Sequence, residues 1–152
     1  MLDYKYEHRQ YYSWMHQLAG FAEKEYEIEI ELISEENAFI YTYEKKKIQV
    51  KGTTPPRDKL YILLHEVGHV ARMIENREDN TYFMDRNGSK NMVEKTMTLM
   101  EEVLAWHKAE LIAQKLNITI EKRAWQRLVN KSVQKYADWT FAPVEHNKKE
   151  NI

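Results

Sequence analysis

The stretch from Leu60 to Arg72, LYILLHEVGHVAR, places His65 and His69 four residues apart. Four residues make little more than one turn of an α-helix, so both imidazoles project from the same side. This spacing lets two nitrogens reach one tetrahedral zinc ion. Glu66 is turned by about 100° from His65, which suits a base acting on a metal-bound water better than a ligand. The motif therefore predicts a zinc site with His65 and His69 as ligands and Glu66 as the catalytic base.

The residues around the motif predict a well-anchored amphipathic helix. Apolar residues recur at helical spacing: Leu60, Leu63, Leu64, Val67, Val70, Ala71 and Ile74. Thr54, Pro55 and Pro56 precede them and are typical of a helix start. Gly68 costs about 1 kcal/mol relative to Ala inside a helix, which is tolerable if another backbone passes close by. An ordinary packing accommodation explains Gly68 equally well.

Length and composition predict one compact domain. The chain has 152 residues, a formal net charge of -1 and no cysteine, so a zinc site can use only His, Asp or Glu. We assign residues 1–142 to a single domain and expect residues 143–152 to be a disordered polar tail. Because no signal peptide and no run of 18 apolar residues are found, we expect a cytoplasmic protein without a membrane span.

The hydropathy pattern predicts an α+β fold. We expect a small three-stranded antiparallel or mixed sheet packed against a leading helix, the motif helix and two C-terminal helices. The predicted strands cover residues 26–32, 39–43 and 48–50, with a turn at 44–47. The other helices are predicted at residues 6–24, 92–116 and 119–139. Asn91 with Glu94 and Thr119 are the expected N-terminal caps of the last two. A polar loop is expected between residues 75 and 91.

A catalytic zinc site needs a third protein ligand and one open position. A metzincin is excluded, because Arg72 and Glu75 stand where its glycine and third histidine belong. Glu102 shares an inward-facing stripe with small residues and is our predicted third ligand. Glu101 is expected to point outward and is the first alternative, ahead of Asp85 and His107. Met92, Met97 and Met100 are predicted to fill the core.

The order of a leading helix, a small sheet, HEVGH and a glutamate within MEEVLAWHKAELIAQKL resembles the ImmA/IrrE family of zinc metallo-endopeptidases. The resemblance covers roughly residues 26–116, and its specific part is HEVGH with the later glutamate. It implies a minimal zincin-like fold, zinc ligands at His65, His69 and Glu102, and Glu66 as general base. Known members cleave helix-turn-helix transcriptional repressors, so such a repressor is the implied partner.

The sequence offers more than one candidate for the residue that stabilises the oxyanion, namely Tyr61, Tyr82 and Tyr136. A peptide substrate would dock most simply as an added strand on the edge of the small sheet.

Two other functions compete with this prediction. Arg123, Arg127, Lys131 and Lys135 recur every four residues on the last helix and form a basic stripe. A solvated helix face explains this stripe better than nucleic-acid binding does, because no further nucleic-acid signature accompanies it. An SprT-like protease acting on DNA-associated proteins is the alternative enzyme. A metal-binding but inactive interaction module is the third reading.

Overall fold

The computed structural model describes residues 4–33, 38–43, 46–50, 54–76 and 91–142, without side chains at residues 4–6 and 31–50. Its elements follow one another as α1 (Tyr4–Tyr26), β1 (Glu29–Ile33), β2 (Ala38–Tyr43), β3 (Lys46–Val50), α2 (Pro56–Glu75), α3 (Met92–Lys115) and α4 (Lys122–Phe141). The backbones of the three strands pair antiparallel in the order β1-β2-β3.

Helix α2 lies at the centre of the packing. It contacts α1, α3 and α4, and α3 also packs against α4. Leu60, Leu64 and Val67 of α2 are fully buried, because their stripe faces other helices rather than water. The histidine-bearing helix is therefore held from three sides, which fixes the direction of any side chain it presents to α3.

The expected α+β fold class is wrong. Of the residues whose surroundings are described, 85% lie in the four helices. The buried hydrophobic core among them is helical except for Ile28 and Ile118, which follow α1 and α3 directly. Of the two β1 residues whose burial is described, Ile30 is partly buried and packs at the margin of this core. The apolar faces of the helices bury one another, so the described interior is built by helix packing rather than by a sheet.

Close contact between α2 and α3 depends on Gly68. A Cβ atom at this position would lie 2.4 Å from the carbonyl oxygen of Ala105 and 3.2 Å from the amide nitrogen of Ala109. Both are backbone atoms, which cannot swing away as a side chain can. Of the two explanations that the sequence leaves open for Gly68, the structure shows the close approach of another backbone, and that backbone belongs to α3.

The ends of the helices agree with the sequence in part. The Asn91 side chain accepts a hydrogen bond from the amide of Glu94 at 2.9 Å, so the predicted cap of α3 is confirmed. Asn117 ends α3 with a left-handed φ of 55°. Thr119 does not cap α4. The cap is Glu121, whose carboxylate accepts from the amide of Ala124, and whose own amide donates to the Tyr61 hydroxyl.

Helix α1 runs past its predicted end into the first predicted strand. Tyr26 is its last residue, and Glu27 then adopts a left-handed φ of 55° while the amide of Ile28 bonds back to the carbonyl of Ala22. Of the loop predicted at 75–91, Glu75 is the last residue of α2, and residues 77–90 lie outside the described residues, as does the tail at 143–152. Within the described ranges, no helix is both long and apolar enough to cross a membrane.

Candidate metal centre

Helices α2 and α3 bring His65, His69 and Glu102 together. The Nε2 atom of His65 lies 3.0 Å from Oε1 of Glu102, and Nε2 of His69 lies 2.9 Å from Oε2 of the same carboxylate. All three residues are buried, with Glu102 only 1% exposed. One carboxylate thus faces both imidazoles from the opposite helix, and all three side chains are buried.

The donor set fits a metal ion. One ligand atom from each of the three residues lies within 4.8 Å of the others. His65 Nε2 is buried without an aligned hydrogen-bond partner, although a buried polar atom is costly to leave unsatisfied. Two histidines and one glutamate, all neutral nitrogens or carboxylate oxygens, match a catalytic zinc site that keeps a fourth position open. These three residues can therefore hold zinc.

The electrostatics of the cluster favour an ionised Glu102. Burial by itself raises the pKa of this carboxyl, because a charge is poorly solvated in the interior. The contacts of the carboxylate with His65 and His69 outweigh that effect and hold the pKa of Glu102 well below its ordinary value. The carboxylate is consequently in the form that a cation binds.

Glu66 lies beside the cluster without belonging to it. Its Oε1 atom is 3.7 Å from Nδ1 of His65, and its side chain is 21% exposed. It is not one of the three residues whose atoms converge. A partly solvated carboxylate next to the ligands has the freedom to exchange a proton, which is the role the motif predicts for it.

Glu101 does not point outward as expected. It is 5% exposed, and its two oxygens accept from Nε and Nη2 of Arg72 at 2.9 and 2.7 Å. Arg72 lies three residues after His69, so this two-pronged ion pair joins α2 to α3 beside the cluster. Adjacent acids thus serve two different partners, and Glu101 is engaged away from the histidines.

Among the described residues, the other candidates do not belong to the cluster. Asp85 and Tyr82 lie outside the described residues. His107 is exposed and lines a groove between α3 and α4. Tyr61 is fully buried, and its hydroxyl accepts the amide of Glu121 at 2.8 Å, which commits it to the start of α4. Tyr136 is partly buried on α4 and meets Trp139 edge to face.

Two contacts at the cluster were not predicted. The Trp106 ring stacks on the His65 imidazole, with centroids 4.1 Å apart and planes 10° from parallel. The Ser132 hydroxyl of α4 donates a hydrogen bond to Oε1 of Glu102. Trp106 was recognisable as a buried stripe residue, but no sequence signal distinguishes Ser132 from any other serine in a helix.

Comparison of the chain with protein-family models, curated proteins and solved structures found no match.

Proposed function

We propose that this protein is a zinc-dependent metallo-endopeptidase that hydrolyses peptide bonds with Glu66 as general base. The observation that carries the proposal is the convergence of His65, His69 and Glu102 in a buried cluster, with Glu66 beside it. One histidine would be enough to form an ion pair with the Glu102 carboxylate. A metal site needs several ligands, and two histidines one helical turn apart, facing one carboxylate, provide them.

Each residue has a distinct part in the reaction. His65, His69 and Glu102 would hold the ion from two packed helices, and their low exposure limits the freedom of the three side chains. A bound zinc ion lowers the pKa of a coordinated water toward about 7 and polarises a carbonyl oxygen. Glu66 accepts the proton of the attacking water and returns it to the leaving amine. The partial exposure of Glu66 permits this exchange, whereas the buried Glu102 remains ionised.

The resemblance to the ImmA/IrrE family gives the proposal its substrate class. A helix-turn-helix transcriptional repressor is the proposed protein substrate, by analogy of HEVGH and the later glutamate alone. The geometry supports the chemistry independently of this analogy, so the two parts are tested separately.

The chemistry is tested with zinc-loaded protein and a mixture of unstructured peptides analysed by mass spectrometry. We expect new peptide termini with wild type and none with Glu66→Gln, which keeps the size of the side chain but removes its basicity. The loss in cleavage rate should be on the order of 100-fold or more. Zinc binding should be unchanged in Glu66→Gln, because Glu66 is not in the ligand cluster.

Cleavage by Glu66→Gln at the wild-type rate would remove this residue from the mechanism. Stoichiometric zinc without any cleavage would favour the inactive interaction module. The repressor is tested by incubating the enzyme with a helix-turn-helix protein encoded beside its gene, using Glu66→Gln as the matched control. Peptide cleavage without repressor cleavage would contradict only the substrate assignment.

One observation favours the DNA-associated alternative. Arg123, Arg127, Lys131 and Lys135 are all exposed on α4, so their charges face water along one helix. An SprT-like protease would use such a stripe to approach the phosphates of DNA. Salt-sensitive retention on DNA that disappears when these four residues are replaced by Gln would support this function. Retention below the level of a neutral control protein would exclude it.

A further inference from the structure

Helix α4 places one hydroxyl in the middle of its packed face. Leu128, Val129 and Val133 pack against the core around Ser132, which is itself partly buried. A helical serine commonly bonds to the backbone carbonyl one turn earlier. The Ser132 hydroxyl instead donates across to Oε1 of Glu102 on α3. The contact therefore connects a third helix to the cluster.

We propose that Ser132 is a positioning residue that fixes the carboxylate of Glu102 for metal binding. The terminal torsion of a glutamate has a broad, roughly two-fold preference, so the carboxylate plane is not held by its own rotamer. A hydrogen bond to a charged oxygen is stronger than one between neutral groups and can hold that plane. Oε1 is engaged by Ser132 and also lies 3.0 Å from Nε2 of His65, whereas Oε2 lies 2.9 Å from Nε2 of His69 and remains for the ion.

Helix α4, which carries Ser132, is attached to the rest of the protein near both of its ends. Near the start of α4, the Tyr61 hydroxyl accepts the amide of Glu121, and Trp125 meets Tyr61 edge to face. Near its end, the Thr140 hydroxyl donates to the carbonyl of Lys95 on α3. Because these contacts do not involve Ser132, the helix should stay docked when the hydroxyl is removed. A loss of metal affinity can then be separated from a loss of fold.

The proposal rests on the metal site of the proposed function but not on peptidase activity. Its test uses two substitutions of nearly equal shape, Ser132→Thr and Ser132→Val, of which only Thr keeps the hydroxyl. Zinc affinity is measured by competition with a chromophoric chelator, and Ser132→Val should bind about 10–100-fold more weakly than wild type. Ser132→Thr should recover most of that loss. Ser13→Ala, an exposed helical serine on α1, should match wild type.

A second measurement reports on the carboxylate itself. With Co²⁺ in place of zinc, the visible spectrum depends on the number of coordinating atoms. A carboxylate free to bind through both oxygens should weaken the absorption in Ser132→Val relative to Ser132→Thr. Helical circular dichroism and thermal unfolding of the metal-free variants check that both remain folded.

Equal zinc affinity in the Thr and Val variants, with identical cobalt spectra, would overturn the proposal. The proposal would also be overturned if Ser132→Thr bound zinc as weakly as Ser132→Val, because the shape of the side chain rather than its hydroxyl would then matter. If wild type binds zinc but cleaves no peptide, the proposed function fails while the Ser132 comparison still decides this inference. If wild type binds no zinc, both are contradicted.

Discussion

The two faces of α3 differ in a way that reverses the usual rule for amphipathic helices. Its inner face toward α2 carries Glu101 and Glu102 at 5% and 1% exposure, next to the buried Ala105 and Ala109. Its outer face exposes large apolar residues, namely Met92, Val93, Met97, Met100, Val103 and Leu111. The prediction that Met92, Met97 and Met100 fill the core is wrong. Two carboxylates therefore lie on the buried face of α3, and three methionines lie on its exposed face.

The groups that α2 presents to α3, rather than the hydropathy of α3 itself, determine which side of α3 is buried. Both glutamates are tolerated inside because each meets positive or hydrogen-bonding groups of α2. Small alanines are required inside because Gly68 brings the two backbones together. Long methionines would not fit that narrow space, so the outer face receives them.

The largest expected effect is the loss of zinc affinity when Glu102 is replaced by alanine, compared with the same replacement at Glu101. Glu102→Ala should weaken zinc binding by on the order of 100-fold or more, since it removes a ligand atom from a three-residue set. Glu101→Ala should change zinc affinity far less, because its oxygens bind Arg72. Isothermal titration with zinc of both variants makes the comparison on folded protein.

Glu101→Ala should instead lower the stability of the metal-free protein. Losing a largely buried two-pronged ion pair leaves Arg72 without this partner, and we expect a loss of about 1–3 kcal/mol. If Glu101→Ala lost zinc affinity more than Glu102→Ala did, the two acids would have to exchange roles.

The next largest effect is expected at Gly68, where the backbones of α2 and α3 approach each other closely. Gly68→Ala should destabilise the protein by about 1–3 kcal/mol, because its Cβ collides with the backbone of Ala105. Gly20→Ala in α1 is the matched control: nothing lies within 4 Å of its Cβ, and alanine should stabilise the helix by about 0.5–1 kcal/mol. Urea unfolding of the two variants measures both signs. Equal changes in the free energy of unfolding, with the same sign in both variants, would mean that α2 and α3 can move apart without loss of stability.

A smaller effect is expected at the outer face. Met100 is 56% exposed, so Met100→Gln should change the free energy of unfolding by no more than about 0.5 kcal/mol. The measurement is again urea unfolding. A loss comparable to that of Gly68→Ala would show that the outer face of α3 is covered in solution.

The last effect appears only at alkaline pH and concerns the edge between the two faces, where Glu75 of α2 meets Lys108 of α3 and the Tyr26 hydroxyl. Burial, then the charge and hydrogen bond of Glu75, raises the pKa of Tyr26 from 10.0 to about 12. The protonated phenol is thus favoured in the folded state. Its contribution to stability is complete below pH 10 and is lost as the pH rises through about 12.

Unfolding measured across this alkaline range should therefore show wild type losing stability more steeply than Tyr26→Phe, which has no phenol to titrate. Parallel curves for the two proteins would contradict the raised pKa of Tyr26.

The sequence predicts the local elements better than it predicts how they pack. The repeat of apolar residues around His65 and His69 reveals the α2 helix, and the small residues beside Glu102 reveal its inward direction. Periodicity could not identify the dominance of helices in the core, because alternation along β1 says nothing about what covers it. It also could not reveal that Arg72 faces Glu101 or that Ser132 faces Glu102, since both contacts join different helices.

The stacking of Trp106 on His65 gives the protein an optical reporter of its own. The emission of an indole ring responds to the charge of a group in ring contact with it. Trp106 also meets Trp125 edge to face, so excitation can pass between the two rings. Emission from this pair should therefore change when zinc is added, and binding at the buried centre can be followed without a label.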